Sequence, residues 1–200
     1  MKQIAIVLFD GVEELDFAGP WEVFTMLSQT VEGSCNVFTV SETGGQVTCA
    51  KKLRVLADHS FETCPPVDVF LVPGGLGTRR EAANPAMLAF LQRIAPTAEV
   101  ATSVCTGSFV LEAAGLLTGK RATTHWGSID RLKALGTVEV VENTRFVDEG
   151  AVVTSSGVSA GIDMALHLVG RLWDPPTARR VQKYMEYFPD PPYSNVPIPD

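Results

Sequence analysis

The sequence predicts an α/β protein with a mostly parallel sheet and helices on both faces. Three observations carry that prediction. Short, nearly continuous apolar runs, at residues 3–9 and 67–72, have strand length and little alternation, as strands covered on both sides do. Between such runs lie segments with apolar spacing of three to four, as at Trp21, Val23, Phe24 and Leu27. Glycine and proline breaks separate the two kinds, and strands alternating with helices lead to a parallel sheet.

Taken in order, residues 3–9 form the first central strand, ended by Asp10 and Gly11. A short acidic turn, residues 12–18, leads to Gly19 and Pro20, and Pro20 is expected to open the first helix. Residues 35–40 make a second strand, Gly44 and Gly45 turn the chain, and 46–49 with 53–57 read as short strands or a hairpin arm. After Cys64, Pro65 and Pro66 the strand at 67–72 runs into the glycine loop 73–77. Asn84 caps a helix that has Pro85 at its first position. A strand at 99–104 and a helix closing at Gly115 follow. Beyond them come a short strand at 121–124, a helix near 128–135 and strands at 138–142 and 145–155, a region that can add antiparallel edge strands. Ser159 is expected to cap a long helix at 160–173, and a last helix runs from Pro175 to about Tyr187. Residues 1–188 are read as one domain, and the proline-rich 189–200 as an extended surface tail.

The whole-chain properties narrow the function. Two hundred residues suffice for one domain with a real core. A net charge of −7 argues against nucleic-acid binding, which needs a basic face. No apolar run reaches membrane-spanning length, and the start has no signal-peptide layout. The four cysteines, at 35, 49, 64 and 105, lack paired metal spacing, so they are expected to be reduced thiols in the cytoplasm.

The stretch at 100–111 organises the chemistry. A buried strand gives way to a helix, with Cys105 at the joint, the layout of a nucleophile elbow. Ser103, Gly107 and Ser108 supply the small neighbours that such a bend requires, with Ser103 in the place of the usual first glycine. The free N–H groups of a helix start favour an anion there, which suits a thiolate. A core cysteine that happens to fall near a helix start is the plainer reading, and spacing alone leaves the two level. The glycine loop 73–77 ends its own strand as Cys105 does, and ligands of open parallel sheets bind at that edge. Asp16 read by itself is a carboxylate stabilised at a helix start. Gly74 and Gly75 read by themselves are a tight turn, and Arg79 and Arg80 a solvated pair or, since they follow the glycine loop, a border of the pocket mouth.

Five stretches together resemble the ThiJ/PfpI superfamily of class I glutamine-amidotransferase-like proteins, over nearly the whole chain. They are residues 14–20, 72–75, 103–107, 122–126 and 157–163. Within it the pattern is most similar to isocyanide hydratases, and residues 186–193 share that likeness. Sensor domains of AraC-type regulators share the wording at 105–107 and 123–126. The resemblance implies a single-domain, flavodoxin-like sandwich, with Cys105 as nucleophile and Asp16 as the carboxyl group beside it. It also implies that the Gly75 and Leu76 N–H groups form an anion-binding loop and that Thr106 tunes the thiol. Many members carry glutamate where Asp16 stands. Thr106 fills the place where the peptidase branch has a histidine, which counts against proteolysis. His125 is a secondary pocket candidate, or a structural hydrogen-bonding group, and Trp126 with the phenylalanines is expected to line an apolar pocket. His59 and His167 are read as neither ligand nor base.

The implied reaction turns an isocyanide into an N-substituted formamide. Cys105 attacks the terminal carbon, Asp16 shuttles protons and water resolves a covalent thioimidate, with no metal or organic cofactor. A homodimer is implied as well. Rival readings are a ligand- or oxidation-sensing protein and a glyoxalase- or deglycase-like enzyme acting on small α-oxoaldehydes. A transcriptional sensor would need a helix-turn-helix segment after Asp200, the end of this sequence.

Overall fold

The structure, a computed structural model of the chain, describes residues 1–193. Strand β1 (Lys2–Val7) leads into α1 (Glu14–Thr30) and β2 (Cys35–Ser41). A two-stranded hairpin, β3 (Gln46–Thr48) and β4 (Arg54–Leu56), stands apart from the main sheet. Next come β5 (His59–Ser60), β6 (Val69–Val72), the one-turn α2 (Thr78–Glu81), α3 (Pro85–Ile94), β7 (Val100–Val104) and α4 (Gly107–Ala113). Strand β8 (Arg121–Ala122) pairs in parallel with β9 (Glu139–Val140), with a 3-10 turn at Trp126–Ser128 and α5 (Ile129–Lys133) between them. The chain continues with β10 (Phe146–Asp148), β11 (Val152–Ser155), α6 (Ala160–Leu172) and α7 (Pro175–Tyr184).

The central sheet has the order β10-β11-β7-β6-β1-β2-β5. Every neighbouring pair is parallel except β10 with β11, which forms an antiparallel edge. Helices α1, α6 and α7 pack on one another in one layer, and α2, α3 and α4 in the other. The predicted α/β class with helices on both faces therefore holds. The inner strands β6, β7 and β11 are buried at every position, which is why their sequences do not alternate. Of the expected tail at 189–200, residues 194–200 lie outside the described residues.

Three expectations need correction. Pro20 does not open α1: the helix begins at Glu14, so the acidic turn is its first turn and Pro20 lies inside. A proline there removes a helix hydrogen bond at a cost of about 3 kcal/mol in an ordinary helix interior. Close packing offsets that cost. A Cβ added at Gly19 would lie 2.8 Å from Ile162 Cγ1, and one added at Gly161 would lie 3.2 Å from Pro20 Cγ. The glycine–proline pair marks a close approach of α1 and α6, and its sequence signature imitates a helix start. Second, Ser159 precedes α6 but makes no capping bond. Its backbone is already helical, and its hydroxyl accepts from Arg145 Nη2 at 3.2 Å. Third, the single strand expected at 145–155 is a hairpin that turns at Gly150, whose φ is +78°. The Asn84 cap does form, its side chain accepting from the Ala86 N–H at 3.0 Å.

Candidate active site

Cys105 takes φ of +58°, a left-handed conformation that ordinary side chains avoid. Such a residue costs on the order of 1–2 kcal/mol and persists only where its surroundings enforce it. They do so here. The Cys105 N–H donates to the carbonyls of Ser155 and Ser156, each at 3.2 Å. Its carbonyl accepts from the Thr124 hydroxyl at 2.9 Å and from the Ser108 hydroxyl at 3.2 Å. Gly107 follows because nothing larger fits: a Cβ there would run into the Val72 carbonyl oxygen. The bend read from the sequence at 103–107 is thus present, between β7 and α4.

Asp16 stands in the first turn of α1 and is fully buried. One of its oxygens, Oδ2, accepts from the Gly74 N–H at 2.9 Å, while Oδ1 makes no close hydrogen bond among the described residues. Gly74 is the common neighbour. A Cβ placed on it would lie 2.6 Å from Asp16 Oδ2, 2.7 Å from Cys105 Cβ and 2.7 Å from the Thr106 nitrogen. Only a residue without a side chain lets the acid, the thiol and the helix start converge. The loop that carries Gly74 is stitched to the segment between β1 and α1: the Glu13 N–H donates to the Gly74 carbonyl, and the Gly77 N–H to the Gly11 carbonyl.

Burial governs both ionisations. It lifts the Asp16 carboxyl from 3.8 to about 7, helped by the charge of Glu13 and opposed by the Gly74 N–H, the Cys105 thiol and the Val158 N–H. It also pushes the Cys105 thiol up to about 12, with the Asp16 charge adding and the Thr106 N–H and hydroxyl opposing. The thiolate expected from the helix-start argument is therefore not the resting form. The pair holds a thiol beside a carboxyl group that exchanges its proton near neutrality, and that first proton belongs to the pair.

The anion-loop expectation divides. The Gly75 N–H donates to Thr106 Oγ1 at 3.0 Å, so it is taken. The Leu76 N–H makes no bond among the described residues, and its side chain is exposed. Thr106 is the residue before α4, but its hydroxyl serves the glycine loop and makes no helix cap. Thr78, which sequence reading passed over, extends that link by donating to the Gly75 carbonyl at 2.7 Å and approaching Thr106 Oγ1 at 3.1 Å. Thr124 was also missed as a support of the elbow. No periodicity marks either threonine, because both act across loops.

His125 turns its Nδ1 to accept from the Gly127 N–H at 3.1 Å, and its ring fills the space where a Gly157 side chain would stand. The local bond matches the structural reading of His125, and its place on the neighbouring cavity matches the pocket reading. Trp126 is 83% exposed yet borders the neighbouring cavity, while the phenylalanines sit mostly in the core. That cavity, about 650 Å³, is lined by mixed groups that include Thr124, His125, Arg145 and Val158. Cys105 is 7% exposed and does not itself line that cavity.

An open parallel sheet with a cysteine on a strained strand-to-helix bend, and a buried acid from the first helix beside it, defines a class of cysteine-centred α/β proteins. The chain belongs to the DJ-1/PfpI family, whose pattern matches residues 2–171. It is 42% identical over 193 residues to an isonitrile hydratase of Pseudomonas putida, covering 96% of this chain and 82% of that protein. It is also 30% identical to the HTH-type transcriptional regulator GbdR of Pseudomonas aeruginosa, over 85% of this chain but 46% of that one. A ThiJ/PfpI family protein from Pseudomonas syringae superposes with a TM-score of 0.88 at 35% identity, covering 96% of this chain and 77% of that one.

Proposed function

We propose that this protein hydrates isocyanides to N-substituted formamides through a covalent intermediate on Cys105. The observation that carries the reading is the fully buried Asp16 carboxyl converging with Cys105 on Gly74, in a chain 42% identical to an isonitrile hydratase. Ionised Asp16 takes the Cys105 S–H proton as sulfur bonds to the terminal isocyanide carbon. It returns that proton to the same carbon, giving a thioimidate, R–N=CH–S. Asp16 then takes a proton from water as oxygen adds to the carbon and passes it to nitrogen. The C–S bond breaks as the carbonyl forms, and the hydroxyl proton returns to sulfur through Asp16. A linear, slender isocyanide end suits a sulfur with so little exposed surface.

A formamide-formation assay on a small panel of alkyl and aryl isocyanides tests this, with methylglyoxal run beside it on the same preparation. Cys105→Ala and Asp16→Asn are expected to lose turnover; wild-type turnover in Cys105→Ala overturns the covalent scheme. Because the proton acceptor is the carboxylate, kcat/KM should rise with pH through an apparent value near 7 and level off above it. A flat profile from pH 5.5 to 8.5 contradicts the role of Asp16. The raised thiol counts against oxidation sensing, which favours a readily ionised cysteine. A homodimer and a cytoplasmic setting complete the reading. The four unpaired thiols suit a reducing compartment, and light scattering of the purified protein decides the subunit number.

A further inference from the structure

A second cleft, about 210 Å³, lies between α2, α4 and α5, and neither Cys105 nor Asp16 lines it. Its floor includes the half-buried Phe109 and the aliphatic Ala82, Ala113 and Leu135. Two arginines from separate elements face it, Arg79 of α2 and Arg131 of α5. Neither is within 4.0 Å of a carboxylate among the described residues. That is notable in a chain where 23 acidic residues outnumber 16 lysines and arginines, so that partners are in surplus.

The Arg131 guanidinium sits 4.7 Å from the centre of the Phe109 ring. Such a contact fixes a guanidinium in place yet leaves its in-plane N–H donors available, the arrangement that grips a carboxylate with two parallel bonds. Glu112 also lines the cleft, but its Oε1 accepts from the Thr137 hydroxyl at 2.7 Å. Two cations therefore share the cleft with one carboxylate, and the lining keeps a net positive charge. Thr78 lines the cleft as well, and its hydroxyl is committed to the Gly75 carbonyl.

We propose that this cleft binds a small carboxylate with an apolar body, an aromatic or short-chain acid, held by Arg79 and Arg131 above Phe109. The volume lies below that of pockets for nucleotides and other large ligands, which sets an upper bound on the ligand. The site is independent of the reaction at Cys105, although Thr78 joins its wall to the elbow through Thr106.

Titration calorimetry on the full chain tests it, with sodium benzoate and inorganic phosphate as probes at constant ionic strength and chloride as the control. Saturable, one-to-one benzoate binding is expected, tighter than phosphate. Arg79→Gln combined with Arg131→Gln should weaken it at least ten-fold, while Arg131→Lys, which keeps the charge and loses the fork, should weaken it several-fold. Both arginines are exposed, so the variants should keep the wild-type melting temperature and the wild-type rate on an isocyanide. Absence of saturable benzoate binding to the wild type, or unchanged affinity in the double variant, overturns the proposal. Phosphate binding as tight as benzoate binding overturns the apolar half of the assignment.

Discussion

At Asp16 the folded chain carries a cost that core positions rarely impose. Its carboxyl is fully buried, and its pKa stands near 7 against 3.8 for the unfolded chain. A raised carboxyl pKa means that the folded state prefers the proton. The associated stability is complete below pH 4 and is lost as pH rises through about 7, by on the order of 4 kcal/mol. Asp16→Asn keeps an oxygen for the Gly74 N–H and removes the buried charge. It should melt above the wild type at pH 8, with the gap shrinking towards pH 4, while turnover disappears. A gap that does not change with pH would show that the carboxylate is not the source of the cost. Stability and activity thus pull in opposite directions at one side chain, as expected of functional sites.

Among the elements, the joint between β7 and α4 is fixed by what is missing from it. An alanine at an exposed helix position gains up to about 1 kcal/mol over glycine. At Gly107 the added Cβ meets the Val72 carbonyl, a backbone atom that cannot turn aside, and overpacking of this kind costs about 1–3 kcal/mol. The clash should win: Gly107→Ala lowers the urea midpoint and lowers kcat, because the elbow must shift. A raised midpoint would mean that the helix start adapts freely. The α1–α6 contact obeys the same rule through Gly19 and Gly161. Leu27, completely buried on α1, reports the packing of that layer, and Leu27→Ala should cost 2–5 kcal/mol in chemical denaturation.

Across the whole molecule, the antiparallel strand β10 ends the sheet and is tied to the helical layer by one carboxylate. Asp148 accepts from Arg171 Nη1 at 2.6 Å and pairs with His167 Nε2 at 2.7 Å, both on α6. Burial pushes its carboxyl up, but the bonds from His167, the Gly150 N–H and Arg171 outweigh that and hold it below 3.8. A lowered carboxyl pKa gives stability that is present above the unfolded value and lost as pH falls through the folded one. Asp148→Asn should therefore melt lower than the wild type at pH 7, by the equivalent of about 1–2 kcal/mol, with the difference fading below pH 4. An equal difference at pH 3 would place the effect in packing.

Much of this was legible in the residues themselves. Continuous apolar runs marked β1 and β6, and small or β-branched residues with little alternation marked β7, because strands buried on both faces need no polar alternation; the small residues around Cys105 marked the bend. Asn84 with Pro85 marked the start of α3, since a cap is a local bond. The tertiary structure decided what depends on contacts between distant segments. It placed Pro20 inside α1 because Ile162 packs against Gly19. It closed the Gly75 N–H with a threonine 31 residues away. It raised a thiol that the helix start alone was expected to ionise, because removal from water outweighs the local dipole for a group this deeply buried. Local bonding and periodicity are written along the chain, whereas desolvation and close approach arise only once the chain has folded.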